Sequence, residues 1–346
     1  MGLFEGILKG GESLFLDPIA LDFDYQPKLV PHRENQQQYI AQCIKPLFSK
    51  RNGKNLIIRG LPGVGKTVCL KHVLRELNQE TDEIYCIYIN CWKKESPFKV
   101  ITQVCEDLGY TWTYNKSYED LYKKAVELLN KKSSVIVMDE ADRINDQKII
   151  YSLLEDIFRK VLILITNRED LEINLDTRVK SRLLPDKLIF EPYNKSQIRD
   201  ILEQRREFAF VKNVWDEKAF DKIIELTSQS KDLRKGLFLM KSSGENAENR
   251  SSKKIELVDV ENVLEMDKPK IKEVKEDYDE ILNLIKENKK CSVRELFEKY
   301  GKGSYRTFQR RVKELKESKM IKVKEMNKGF EDGRSNEVEV ITLDDF

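Results

Sequence analysis

Gly60-Leu61-Pro62-Gly63-Val64-Gly65-Lys66-Thr67 follows an apolar run, Leu56-Ile57-Ile58, and leads into helical spacing from Val68-Cys69-Leu70 through Leu77. Strand, glycine-rich loop and helix form the context that a phosphate-binding loop of the form G-x-x-x-x-G-K-[ST] requires. Its glycines let backbone N–H groups converge on phosphate oxygens, and the helix N-terminus adds favourable potential. In this reading Lys66 reaches the β- and γ-phosphates of a nucleotide and Thr67 ligates Mg²⁺.

A second motif fits the same chemistry. Val135-Ile136-Val137-Met138-Asp139-Glu140 is an apolar strand whose end presents two carboxylates. Asp139 would hold Mg²⁺, directly or through water, and Glu140 would polarise the attacking water. The plain alternative is a buried strand ending in a solvated acidic turn; the loop at 60–67 argues against it. Further strands are expected at Ile84-Tyr85-Cys86-Ile87-Tyr88-Ile89-Asn90, at 161–166 and at 187–190. The strand at 161–166 ends at Asn167, where a polar side chain suits positioning water near a γ-phosphate. The Asn-Arg-Glu-Asp run is equally good turn chemistry. Helices are expected at about 33–49, 97–108 and 118–129. Strands alternating with helices predict an α/β fold, a parallel sheet covered on both faces, with ligand at the strands' C-terminal ends.

The 346 residues carry 62 Lys or Arg and 60 Asp or Glu, a net charge of +2, with 40% apolar and 35% charged residues. That leaves room for two or three domains of an intracellular type. No run of 18 apolar residues exists, so no membrane span is expected. No basic stretch followed by an apolar core marks a secretory signal. The six cysteines lack C-x-x-C spacing and the two histidines do not pair with them, so reduced thiols are expected rather than a zinc site.

Residues 1–28 read as an irregular arm, 29–193 as the nucleotide-binding base and 194–267 as helices only, near 196–208, 216–228, 233–248 and 258–265. Residues 268–275, with Pro269 and alternating charges, read as a linker. Residues 276–346 have the outline of a winged helix-turn-helix: helices at 277–288, 292–300 and 304–318, then strands at 320–326 and 337–343 joined by 327–336. From Gly301 to Phe330 ten Lys or Arg face three Glu, a net +7. On the helix at 304–318, Tyr305, Phe308, Val312 and Leu315 share one face; Arg306, Arg310 and Lys313 share the opposite one, aligned as a DNA-reading helix needs. The plain alternative is a solvated basic face. Lys328 and Arg334 at the hairpin tip would reach phosphates or a minor groove, beside the opposing charges of Glu331 and Asp332. The aromatic segment 110–116 is a second candidate contact, with core packing as its alternative.

Several motifs together resemble one family. The chain looks like an AAA+ ATPase and is similar to the archaeal replication initiators related to eukaryotic origin-recognition and cell-division-control proteins. Besides the two motifs above, the resemblance rests on Val30-Pro31-His32-Arg33-Glu34, on Met138-Asp139-Glu140-Ala141-Asp142 and on Leu175-Asp176-Thr177-Arg178-Val179-Lys180-Ser181-Arg182. It also rests on Phe190-Glu191-Pro192-Tyr193-Asn194, Ile198-Arg199-Asp200-Ile201-Leu202 and Asp232-Leu233-Arg234-Lys235. It implies an AAA+ base, a helical lid and a winged-helix domain. Val30, Pro31, His32 and Arg33 would border the adenine of ATP or ADP. Gly60, Pro62, Gly63, Val64, Gly65, Lys66, Thr67, Val68 and Tyr193 would complete the nucleotide site. Asn167 would be sensor 1, and Arg234 sensor 2, reaching from the lid to the γ-phosphate. An arginine finger is implied in the 178–182 region, with Arg182 favoured over Arg178 for reaching a neighbouring subunit's nucleotide.

The resemblance further implies a cytoplasmic, nucleoid-associated protein that binds duplex origin DNA, recruits the replicative helicase and associates with copies of itself or other initiators. Its ATP hydrolysis would be slow and switch-like. Lys231-Asp232-Leu233-Arg234 departs from the family's usual Gly-Asp before Ala-Arg. Little room is left for a long insertion before Asp139, so an initiator-specific DNA-contacting helix, if present, should fall near 110–119. Two other functions share these motifs: a clamp-loader-like or branch-migration-like motor, and a regulatory switch ATPase that binds protein partners. A winged domain alone does not decide among them.

Overall fold

Alternation along the strands builds two cores from one sheet. On β3 (Ser133–Asp139), Val135 and Val137 point to one face while Ile136 and Met138 point to the other. β4 (Lys160–Thr166) divides the same way, with Val161, Ile163 and Ile165 opposite Leu162 and Leu164. With β1 (Leu56–Gly60), β2 (Ile84–Asn90) and β5 (Asp186–Phe190) they form a five-stranded sheet in the order β2-β3-β4-β1-β5, parallel throughout. Every residue of β3 is buried, as a central strand covered on both faces requires. The computed structural model describes residues 13–168, 170–267, 278, 280–285, 291–317, 321–327 and 334–340. It divides into two compact units, Met1–Val263 and Leu264–Phe346. Among the described residues no helix is long and apolar enough to cross a membrane.

In the first unit the helices Glu34–Ile44 and Lys66–Glu80 cover one face of the sheet, and Pro97–Asp107, Tyr118–Leu129 and Lys148–Asp156 cover the other. The helix expected to reach residue 49 stops at Ile44 and continues as a 3-10 segment, Lys45–Ser49. Pro46 has no N–H to donate, so the α ladder cannot pass it. Four further helices follow the sheet: Lys195–Ala209, Glu217–Ser230, Leu233–Asn249 and Leu257–Asp267. The first is fixed by a capping box in which Asn194 and Gln197 satisfy each other's backbone N–H.

The described part of the N-terminal arm is an ordered strap on these helices. Leu16 N donates to Ala209 O at 2.8 Å, and Val211 N donates to Leu14 O at 2.9 Å. Phe15 packs on Phe210 with ring centroids 4.7 Å apart, and Gly244 leaves room for the Phe15 ring. Ala20 and Leu21, in the short 3-10 turn Pro18–Leu21, are buried.

In the second unit, helical residues 280–285, helix Val293–Tyr300 and helix Tyr305–Glu317 enclose a core of Ile281, Leu296, Tyr300, Phe308, Val312 and Leu315 with their neighbours. Ser292 and Glu295 form a capping box at the start of Val293–Tyr300, and Gly301 ends that helix at φ +64°. β7 (Ile321–Asn327) and β8 (Arg334–Val340) pair antiparallel, and a two-residue strand, β6 (Cys291–Ser292), adds to β8. This is the winged-helix arrangement. β6 was not legible, being two residues long. β8 begins three residues earlier than the sequence suggests, and Arg334 pairs with Asn327 in the ladder instead of lying at the hairpin tip. The polar run Arg334-Ser335-Asn336 reads as a turn in sequence; pairing with Met326 and its neighbours recruits it into the strand. Lys328, Glu331 and Asp332 lie outside the described residues.

Candidate functional site

The C-terminal ends of β1, β3 and β4 bring the two sequence motifs together. Thr67 Oγ1 donates to Asp139 Oδ2 at 2.7 Å, and the Tyr88 hydroxyl donates to the same oxygen at 2.5 Å. Glu140 N donates to Asp139 Oδ1 at 2.9 Å. Burial, then the charge of Asp139, pushes the Tyr88 phenol up, so it remains a donor to that carboxylate. Lys66 is 7% exposed and its Nζ donates to Gly60 O (2.7 Å), Leu61 O (2.9 Å) and Asn167 Oδ1 (2.6 Å). Asn167 Nδ2 in turn lies 3.0 Å from both carboxylate oxygens of Glu140. One side chain thus joins the loop cation to the candidate base. Burial pulls the Lys66 pKa down to about 8, against the attraction of Asp139 and Glu140.

Two glycines of the loop allow close approaches that a side chain would block. Gly63, at φ +72°, sits where a Cβ would overlap the carboxylate of Asp232. Gly65, at φ +86°, sits where a Cβ would come within 2.7 Å of the Tyr193 hydroxyl. Asp232 caps the helix Leu233–Asn249, and Leu233 N donates to Gly63 O at 3.4 Å. The phosphate-type loop is therefore packed directly against the first turn of the helix that carries Arg234.

These groups open into a cavity of about 570 Å³. Of the expected nucleotide-binding residues, Val30, Pro31, Gly63, Val64, Gly65, Lys66, Thr67, Val68, Tyr193 and Arg234 line it, together with Asp139, Glu140 and Asn167. Gly60, Pro62, His32 and Arg33 do not. Arg33 is 4% exposed: its Nη2 donates to Val64 O (2.9 Å) and Glu191 O (2.6 Å), and its guanidinium lies 4.0 Å from the Tyr193 ring centroid. It fastens the loop to the chain leaving β5 and does not touch the cavity. His32, at φ +63°, pairs with Asp200 at 3.0 Å. Both were expected beside the adenine; instead His32 meets Asp200, and Arg33 is buried because Val64 O and Glu191 O both accept from it.

Arg182 lies outside this cavity and pairs with Glu155 at 3.2 Å, while Arg178 is exposed on the same helix, Thr177–Leu183. Residues missed in the sequence include Tyr88, those of the strap, Asp22 to Pro27 and Leu29, and Gln204 and Arg205 on the facing helix. Position relative to the phosphate loop would not have revealed them, since the strap reaches the cavity only by docking on helices nearly two hundred residues away.

The site fits a nucleoside triphosphate with Mg²⁺. The glycine cradle excludes side chains from the phosphate end, Lys66 supplies a cation, and Thr67 with Asp139 supplies hard oxygen donors of the kind Mg²⁺ takes. Tyr25, Pro27, Val30, Ile201 and Leu237 supply an aromatic and apolar wall for a base and ribose.

In the second unit Arg306, Arg310 and Lys313 are exposed on the helix face opposite buried Phe308, Val312 and Leu315. Arg310 Nε lies 3.8 Å from Glu314. Tyr305, expected in the core, is 37% exposed and meets Phe297 edge-on at 5.2 Å. In the first unit Tyr110 packs on the core, whereas Trp112 and Tyr114 are 79% and 87% exposed, so core packing does not account for them. Residues 110–117 contain no helix; Tyr118–Leu129 begins after the Ser117 cap.

Residues 50–175 match the AAA domain family, and residues 199–265 match the Cdc6 AAA+ ATPase-type lid domain. The ORC1-type DNA replication protein 1 of Sulfolobus acidocaldarius is 32% identical over 265 residues, covering 72% of this chain and 67% of that one. The ORC1-type DNA replication protein of Thermoplasma volcanium is 32% identical over 253 residues, covering 68% of this chain and 62% of that one. The matched part thus spans about two-thirds of these relatives' own length. The Aeropyrum pernix ORC1 protein, solved in complex with DNA, superposes with a TM-score of 0.69 at 27% identity, covering 94% of this chain and 93% of that one.

Proposed function

From the premise that the chain belongs to the family of ORC1-type DNA replication proteins, AAA+ ATPases with a Cdc6-type lid, we propose that it is an ATP-dependent replication initiator. It binds duplex origin DNA through its winged helix and AAA+ domain, and nucleotide state sets that binding. Hydrolysis is slow and serves as a switch; recruitment of the replicative helicase and association with other initiator copies follow from DNA-bound protein. It works in the cytoplasm at the nucleoid.

The mechanism assigns roles to residues already in contact. Lys66 holds the β- and γ-phosphates and leaves its present carbonyl partners to do so. Thr67 and Asp139 hold Mg²⁺, which when bound supplies charge neutralisation at those phosphates. Glu140 takes a proton from the attacking water, and Asn167 keeps that carboxylate oriented. Arg234, on the lid helix that abuts Gly63, reports the γ-phosphate to the lid. Arg182 or Arg178 faces the site of a neighbouring copy; the Glu155 pairing of Arg182 leaves Arg178 the less restrained of the two. Arg306, Arg310 and Lys313 contact DNA, and Arg334 and Lys328 contribute further phosphate contacts.

The observation that carries this reading is a pairing within one chain. Lys66, Thr67, Asp139, Glu140 and Asn167 line one cavity with lid-borne Arg234, and a separate unit exposes three cations along one helix face. The test is a duplex titration at two salt concentrations, with and without ATP. Steep salt dependence and an ATP effect on affinity are expected. Affinity indifferent to both salt and ATP would overturn the proposal.

A further inference from the structure

Arg205 is a nearly buried cation that the roles above do not use. It lies on helix Lys195–Ala209, is 7% exposed and faces the cavity. Its guanidinium sits over the Tyr25 ring, 4.7 Å from the centroid, and its Nη1 donates to Ala20 O at 3.3 Å. Among the described residues no carboxylate pairs with it. Burial lowers its pKa, and the neighbouring Tyr25 only partly opposes this. A guanidinium carries five N–H donors in a fixed fork. The one hydrogen bond that Arg205 makes among the described residues is that long one, the residue lines the cavity, and burying a cation this way is costly unless acceptors come to meet it.

What places it there is the strap. At one end the strap is tied to the lid helices, through Ala20 O on Arg205 and through Asp22, whose Oδ1 lies 2.8 Å from Lys241 Nζ. At the other end it is tied to the base: Arg75 Nη2 donates to Pro27 O and Lys28 O, each at 3.1 Å. Arg75 is itself steadied by His72 Nδ1 at 2.7 Å, and both lie on the helix that begins with Lys66. The strap therefore spans from lid to base along the aromatic and apolar side of the cavity.

We propose that Arg205 is a further nucleotide-binding residue, whose cavity-facing N–H groups donate to acceptor atoms of the base and ribose, and that residues 20–28 hold it in that pose. This rests on the nucleotide reading of the site. The acceptors belong to the base–ribose part because Arg205 shares its wall with Tyr25 and Ile201, while the phosphate groups have their own cation and glycine cradle at Lys66.

The experiment is calorimetric titration of ATP and of inorganic tripolyphosphate into the wild type, Arg205→Met and Tyr25→Ala. One to two charge-assisted hydrogen bonds correspond to about a tenfold to hundredfold loss of affinity. That loss is expected for ATP in Arg205→Met, and a smaller one in Tyr25→Ala, with tripolyphosphate affinity unchanged in both. ATP affinity unchanged in Arg205→Met, or a parallel loss for ATP and tripolyphosphate, would overturn the proposal. If Arg205→Met fails to fold by circular dichroism, the half-buried Tyr25→Ala decides: unchanged ATP affinity overturns it. A wild type that binds neither ligand would instead remove the nucleotide reading itself.

Discussion

Asn167 Nδ2 lies 3.0 Å from both oxygens of the Glu140 carboxylate, while Oδ1 of the same amide accepts from Lys66. The orientation of the candidate base therefore depends on the tip of β4, and the phosphate-binding cation depends on it as well. Glu140→Gln should retain ATP binding and slow single-turnover hydrolysis by about a hundredfold or more, in the range expected for losing a general base. Asn167→Ala should slow it by about tenfold or more, because Glu140 then loses its orienting donor. Hydrolysis in Glu140→Gln at the wild-type rate would remove Glu140 from the mechanism.

Lys66 makes the stability of the protein depend on pH. Its pKa falls from the ordinary 10.5 to about 8 on folding, chiefly through burial. Between those values the unfolded chain binds the proton and the folded chain does not, so stability rises with pH across that window. Below pH 8 both states are protonated and the cost of the buried cation is fully felt. Compared with Lys66→Met, the wild type should gain thermal stability as pH is raised from 8 to 10.5, read as the difference in Tm. Lys66→Met should also lose ATP binding. A Tm difference independent of pH would contradict the assignment of a buried, desolvated ammonium.

Gly63 is where loop and lid touch. Any Cβ there meets the Asp232 carboxylate and must also adopt φ +72°, a conformation costing about 1–2 kcal/mol for a non-glycine residue. Gly63→Ala should therefore push the lid helix away from the loop, weakening ATP affinity by about tenfold or more in calorimetry. Tripolyphosphate, which would meet both the loop and Arg234 of the lid, should be weakened as well. Equal affinities for ATP in variant and wild type would show that loop and lid do not need this contact.

Much of this was readable in the residues. The continuous apolar runs of β3 and β4 pointed to a sheet covered on both faces, and the glycine loop with Asp139 and Glu140 pointed to what lies at its edge. Two things were not readable, for the same physical reason. Arg33, which the resemblance puts beside the adenine, is a buried fastener only because Val64 O and Glu191 O, both distant in sequence, converge on it. The strap looks irregular because its partners, Ala209, Arg205 and Glu248, come from helices far along the chain. Periodicity reports what a segment buries, and says little about which distant carbonyl it meets. The wing shows the converse: a polar run that looks like a turn becomes strand once a ladder is offered to it.

The basic helix of the second unit predicts a graded loss. Arg306→Ala, Arg310→Ala and Lys313→Ala should each weaken duplex binding and reduce the slope of log affinity against log salt by about one. ATP affinity should stay unchanged in all three. A phosphate-contacting residue weakens all sequences alike, whereas a base-reading one relaxes preference at one position, so fragments of differing sequence separate the two.

The most direct measurement is the affinity of the wild type for duplex fragments carrying the genomic origin and for random duplex of equal length, each with ATP and with ADP, at fixed salt. A replication initiator whose nucleotide site controls its DNA binding should prefer the origin fragment and should bind it with different affinities in the two nucleotide states. Equal affinity for both fragments in both nucleotide states would contradict it.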